Sequence, residues 1–109
     1  MNNRIKEIIQ MLKHDPDDPF LLYALALEYH KIEDDKKTEE TFDQLLNKFP
    51  DYLPTYYQAA HFYWEKDLIK KAKSAFIKGI SLAKQSDEIK TVQELLNSYQ
   101  NFLMDIDEQ

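Results

Sequence analysis

Laid on itself at an offset of 34 residues, the sequence sets Leu22 on Tyr56, Tyr23 on Tyr57, Ala26 on Ala60, Tyr29 on Tyr63, Lys37 on Lys71 and Phe42 on Phe76. Run backwards, the same offset sets Ile8 on Phe42, Leu12 on Leu46, Pro16 on Pro50 and Asp17 on Asp51. A fixed period of this length marks a solenoid, in which no unit buries its apolar face alone and each takes its core from its neighbours. That constrains the fold more than any other feature, because 109 residues leave room for one small domain and no catalytic domain beside it. One glycine and four prolines are too few for the tight turns of a sandwich or barrel, and suit helices joined by short connections.

The apolar spacing makes each unit a helix pair. Leu22, Leu25, Ala26 and Tyr29 lie at i, i+3, i+4 and i+7, and Phe42, Leu45, Leu46 and Phe49 repeat the interval, so each set is one stripe of a helix. Asp18 before Pro19 is an N-cap acceptor followed by a first-turn proline whose missing N–H costs nothing there. Asp34 or Asp35 is placed to cap the next helix, and Asp51 the one after, with Pro54 in its first turn. Six helices are expected, near residues 3–14, 19–32, 36–49, 53–66, 69–84 and 88–104. The chain then divides into an N-terminal half repeat (3–16), two full repeats (19–52 and 53–86) and a C-terminal capping helix (88–104), together one domain spanning 1–109.

These residues resemble the tetratricopeptide repeat, a 34-residue helix-turn-helix family. Its pattern asks for a large residue at position 4, Leu at 7, a small residue at 8, Tyr at 11, Ala at 20, Phe or Tyr at 24, Ala at 27 and Pro at 32. Leu22, Leu25, Ala26, Tyr29, Thr38, Phe42, Leu45 and Pro50 stand there in the first unit, and Tyr56, Ala59, Ala60, Tyr63, Ala72, Phe76, Gly79 and Lys84 in the second. The resemblance implies an all-α, right-handed helix-turn-helix solenoid, and a protein-binding rather than a catalytic role. Small at 8 beside large at 24 lets two helices approach closely. Three departures carry structural expectations. Thr38 and Leu45 replace small residues at the helix crossing, so the packing is expected to widen there. Glu33 and Asp67 replace the turn glycine, so the turn either avoids positive φ or carries roughly 1 kcal/mol of strain. Lys84 replaces the terminating proline, so that helix is expected to run on towards Gln85. In the last helix Ile89, Val92, Leu96, Tyr99 and Leu103 form the apolar stripe of a cap, and Asp105, Asp107 and Glu108 read as a frayed acidic tail.

Several function classes are disfavoured. Without cysteine there is no disulfide, thiolate metal site or cysteine nucleophile, which is compatible with a reducing compartment. No apolar run approaches a membrane span or a signal-peptide core, so a soluble, cytoplasmic protein is expected. The lone Gly79 lies within a helical pattern, which leaves no phosphate-cradling loop and no nucleophile elbow. His61 and Glu65, at i and i+4, are two ligands where a stable metal site needs three or four. No enzyme, metal or cofactor is therefore expected. A net charge of −6 disfavours nucleic acid and anionic membrane. The one basic feature is the helix carrying Lys70, Lys71, Lys73, Lys78 and Lys84, read as a solvated outer face, or as a docking face for an acidic protein or a nucleic acid.

Aromatic side chains are in excess of what the packing stripes use. In the resembled family the first helix of each unit also lines a concave groove, through positions 2, 5, 6, 9, 12 and 13. These are Phe20, Tyr23, Ala24, Leu27, His30 and Lys31, then Pro54, Tyr57, Gln58, His61, Trp64 and Glu65. The expected partner-binding residues are Phe20, Tyr23, Leu27, His30, Lys31, Tyr57, Gln58, His61, Trp64 and Glu65, taking a peptide or helix of unidentified origin. The alternatives are a homodimer through the same surface, or internal cover of this second stripe by the terminal helix. Tyr23, Leu27, Tyr57 and His61 stand where the family's carboxylate-binding grooves use Lys and Asn, so an apolar or amphipathic partner fits better. On the groove reading Trp64→Ala changes stability by about 1 kcal/mol or less, whereas Tyr63→Ala opens a core cavity.

Overall fold

The computed structural model describes residues 3–107 and forms six α-helices, with no strand among those residues. They are α1 (Asn3–His14), α2 (Pro19–Lys31), α3 (Asp35–Lys48), α4 (Pro54–Glu65), α5 (Ile69–Gln85) and α6 (Ile89–Asp107). The chain packs as two compact units, one up to Thr55 and one from Tyr56 onward.

In the first unit α2 packs against both α1 and α3. Ile5, Ile8 and Leu25 make a buried cluster flanked by Leu12, Leu21, Ala24 and Tyr29. Leu22, Ala26, Thr38, Phe42 and Leu45, all on the expected packing stripes, are buried too. The starts of α2 and α3 follow from their caps. Asp18 Oδ1 accepts from the Phe20 N–H at 2.9 Å, and Asp34 Oδ1 from the Lys37 N–H at 3.2 Å. Asp51 lies in the turn before α4 rather than at its cap, because α4 begins only at Pro54.

In the second unit α5 packs against α6, and Tyr56, Ala59, Ala60, Tyr63, Ala72, Phe76, Gly79 and Ala83 are buried. As Lys84 in place of proline implies, α5 continues to Gln85. The last helix departs from expectation in two ways. Its buried residues are Leu95 and Phe102, while Ile89 is 69% exposed. It also continues through Asp105 to Asp107, so those two acids belong to the helix and not to a frayed tail; Glu108 lies outside the described residues.

The turns resolve the missing-glycine question in favour of strain. Glu33, Asp67 and Asp87 have φ of 59°, 61° and 55°. Each follows a helix C-cap and closes the same pair of bonds: Glu33 and Asp34 donate to His30 and Tyr29, Asp67 and Leu68 to Trp64 and Tyr63, Asp87 and Glu88 to Lys84 and Ala83. This double closure satisfies the last helical carbonyls and normally places glycine at the left-handed residue. Glu33→Gly and Asp67→Gly are each expected to raise stability by about 0.5 to 1 kcal/mol, read as a higher urea midpoint at constant m-value.

Candidate aromatic binding surface

On α2 the residues of the second stripe are open to different degrees. Phe20, at the first turn, is 58% exposed, and Tyr23, Leu27 and His30 are half-buried. Tyr23 meets the ring of Tyr52 edge-on, centroids 5.9 Å apart. Tyr52 in turn lines an open depression of about 330 Å³ with Pro19, Phe49 and Pro50, rimmed by Lys48 and Asp51. Burial, and secondarily the Asp18 carboxylate, push the Tyr52 phenol above its ordinary pKa. The sequence reading missed Tyr52, which closes the first repeat where the second has Ser86. Its extra aromatic character was the available signal. Lys31 is exposed and pairs along the helix with Glu28, Nζ to Oε2 at 3.4 Å, an interaction of little energetic weight at the surface.

On α4 the corresponding residues divide into two groups. Tyr57 remains 38% exposed, Gln58 is half-buried and Glu65 exposed. His61 and Trp64 face α6. His61 Nε2 shares a hydrogen bond with Ser98 Oγ at 3.1 Å, and Trp64 Nε1–H donates to Asp105 Oδ2 at 2.7 Å. The Trp64 ring stands edge-on to Phe102 and Phe76, with centroids at 5.5 and 6.4 Å. Phe76 also meets His61, Tyr99 and Phe102 at 5.8, 5.5 and 5.4 Å. The result is one aromatic cluster joining α4, α5 and α6, with geometry suited to ring quadrupoles. The expectation that Trp64 adds little to stability is therefore revised, because α6 covers it and hydrogen-bonds to it. Tyr57, its ring tilted against His61 with centroids 4.4 Å apart, is the aromatic of this stripe that stays open.

Partial burial lowers the His61 pKa from its ordinary value of 6.5. The unfolded chain then binds more protons than the folded one between that depressed value and 6.5, so stability rises with pH across this window and is lost as pH falls through it. Unfolding midpoints measured at several pH values should show that slope in the native chain, and a shallower one in His61→Gln.

Among the described residues no group of three or more His, Asp or Glu is placed to hold a metal ion, and no helix is long and apolar enough to cross a membrane. The sequence model of the tetratricopeptide repeat matches residues 53–86. A tetratricopeptide repeat domain protein of Salinibacter ruber is similar in two experimental structures. Its solution structure has 31% identity over 80% of this chain and 88% of that one, with a TM-score of 0.74. Its crystal structure has 30% identity over 78% and 96%, with a TM-score of 0.73. A protein of Bordetella parapertussis shares the fold at 17% identity, covering 96% of this chain and 91% of that one, with a TM-score of 0.78. No curated protein matches the sequence. The chain belongs to the tetratricopeptide repeat family, whose repeats generally mediate protein–protein interaction.

Proposed function

We infer that this chain is a non-enzymatic, cytoplasmic module that binds a peptide or a helix on the first helices of its repeats. Phe20, Tyr23, Leu27, His30 and Lys31 form the contact surface on α2, and Tyr57 and Gln58 on α4. His61, Trp64 and Glu65 complete the α4 stripe, with His61 and Trp64 bounding it where α6 begins to cover it. The carrying observation is that Phe20 and Tyr57 remain 58% and 38% exposed at groove positions, where a packed interior would have hidden them. Large aromatics of this kind are the usual anchors of an interface.

The test is to pan a library of random linear peptides against the chain, then measure enriched peptides against Phe20→Ser and Tyr57→Ser. Enriched peptides are expected to carry apolar or aromatic anchors. Each substitution should weaken binding about tenfold or more and leave the melting temperature nearly unchanged. If mass instead rises with protein concentration, and Phe20→Ser abolishes that rise, the surface is filled by a second copy of the chain. Peptide binding indifferent to both substitutions would remove the groove reading.

A further inference from the structure

The outer face of α5 is rich in lysine. Lys70, Lys73, Ile77 and Lys84 follow one another at helical spacing along it, with Ser74 and Ser81 between and Lys78 on the flank. The opposite face, Ala72, Ala75, Phe76, Gly79, Ile80 and Ala83, is buried. The helix has no acidic residue, although the whole chain has 20 acidic against 14 basic side chains. Lys70, Lys73, Lys78 and Lys84 are all exposed and form no ion pair among the described residues. In their midst Ile77 is 48% exposed.

Helix stability does not account for this arrangement. Lysine in a first turn faces the positive end of the helix dipole. Here the first turn has no acidic residue and the N-cap, Leu68, offers no side-chain acceptor, whereas α2 and α3 begin on aspartate caps. Lys70 and Lys73, at i and i+3, also repel one another. Lys84, in the last turn, is favourably placed on the same dipole, but Lys70 and Lys73 are arranged against the helix that carries them, and they suit an external anion.

We propose that the outer face of α5 docks an acidic amphipathic helix of a partner protein. Its carboxylates pair with Lys70, Lys73 and Lys84, and an apolar side chain rests on Ile77. Lys70 and Lys84 are about 21 Å apart along the axis, so about four turns of the partner would lie against it. Nucleic acid fits less well: the face has no arginine for bidentate contacts and no exposed aromatic for stacking, and the molecule is acidic as a whole. A membrane would need more inserted apolar surface than Ile77 supplies. This surface shares no residue with the groove stripes, so neither reading depends on the other.

The probe is a fluorescein-labelled helical peptide of about 15 residues, built from glutamate with leucines at i, i+3 and i+4 spacing, titrated into the full chain. Saturable binding is expected that weakens about tenfold or more in Lys73→Glu/Lys84→Glu, and about threefold in Ile77→Ser. It should also fall about tenfold or more between about 50 and 500 mM salt. Lys73→Gln/Lys84→Gln should lie between, and circular dichroism should show all variants folded, since every substituted side chain is exposed. Phe20→Ser should bind the probe as the native chain does. Absence of saturable binding, or equal affinity of the charge-reversed variant, would overturn the proposal. Equal binding of an oligonucleotide or of phosphatidylserine vesicles at matched charge would overturn it too, as would salt-sensitive self-association of the chain through these lysines.

Discussion

Trp64→Ala is expected to cost roughly 2 to 4 kcal/mol of stability, although Trp64 stands at a position that the family uses for ligands. The substitution removes the ring from an aromatic cluster that includes Phe76 and Phe102 and leaves the Asp105 carboxylate without its indole donor. Tyr57→Ala, about two helical turns earlier on the same stripe, should cost about 1 kcal/mol or less, because its ring is already partly in water. Unfolding should be followed by circular dichroism, since Trp64 is the single tryptophan. Faster amide exchange along α6 in Trp64→Ala would show that the ring holds that helix in place. Equal, small effects of the two substitutions would mean that α6 is held without Trp64.

The sequence leaves open whether Trp64 lies in an open groove or under the terminal helix, for a physical reason. A helix stripe reveals which residues share a face, not whether another helix lies on that face. Periodicity carried the six helices to within a few residues of their ends, because caps such as Asp18 and Asp34 and the Pro19 and Pro54 starts are local signals. The last helix was harder for a reason visible in its doublets. Leu95–Leu96 and Phe102–Leu103 allow two stripes one residue apart. One runs through Ile89, Val92, Leu96, Tyr99 and Leu103, the other through Val92, Leu95, Tyr99, Phe102 and Ile106. Spacing does not separate them, but packing does: Leu95 and Phe102 are buried and Ile89 is exposed. Ile106, seven residues after Tyr99, was the sign that the helix continues into the acidic segment. The polar character of Asp105 concealed it, and that carboxylate is the one Trp64 bonds.

The chain's single glycine supplies the other large effect. Gly79 lies inside α5, where alanine would be favoured by about 1 kcal/mol on helix propensity alone, and its φ is not positive. Turn geometry therefore does not explain it, but proximity does. A Cβ at this position would lie 2.6 Å from Tyr56 Cβ, 3.1 Å from Tyr56 Cγ and 3.3 Å from Leu95 Cδ1. Both neighbours are buried, and Tyr56 Cβ is fixed to the α4 backbone, so no rotamer change moves it aside. Gly79→Ala should force α4 and α5 apart and cost about 1 to 3 kcal/mol net, against the sign that propensity predicts. Tyr56→Ala removes only the Cγ contact and should give little relief, because it keeps the Cβ that meets the new methyl. Tyr56→Gly removes that atom, so the Gly79→Ala penalty should shrink or change sign in its background, even though Tyr56→Gly is itself destabilising. The four urea midpoints of this double-mutant cycle decide the matter: if Gly79→Ala stabilises the native chain, the close approach of α4 to α5 is not what keeps a glycine at position 79.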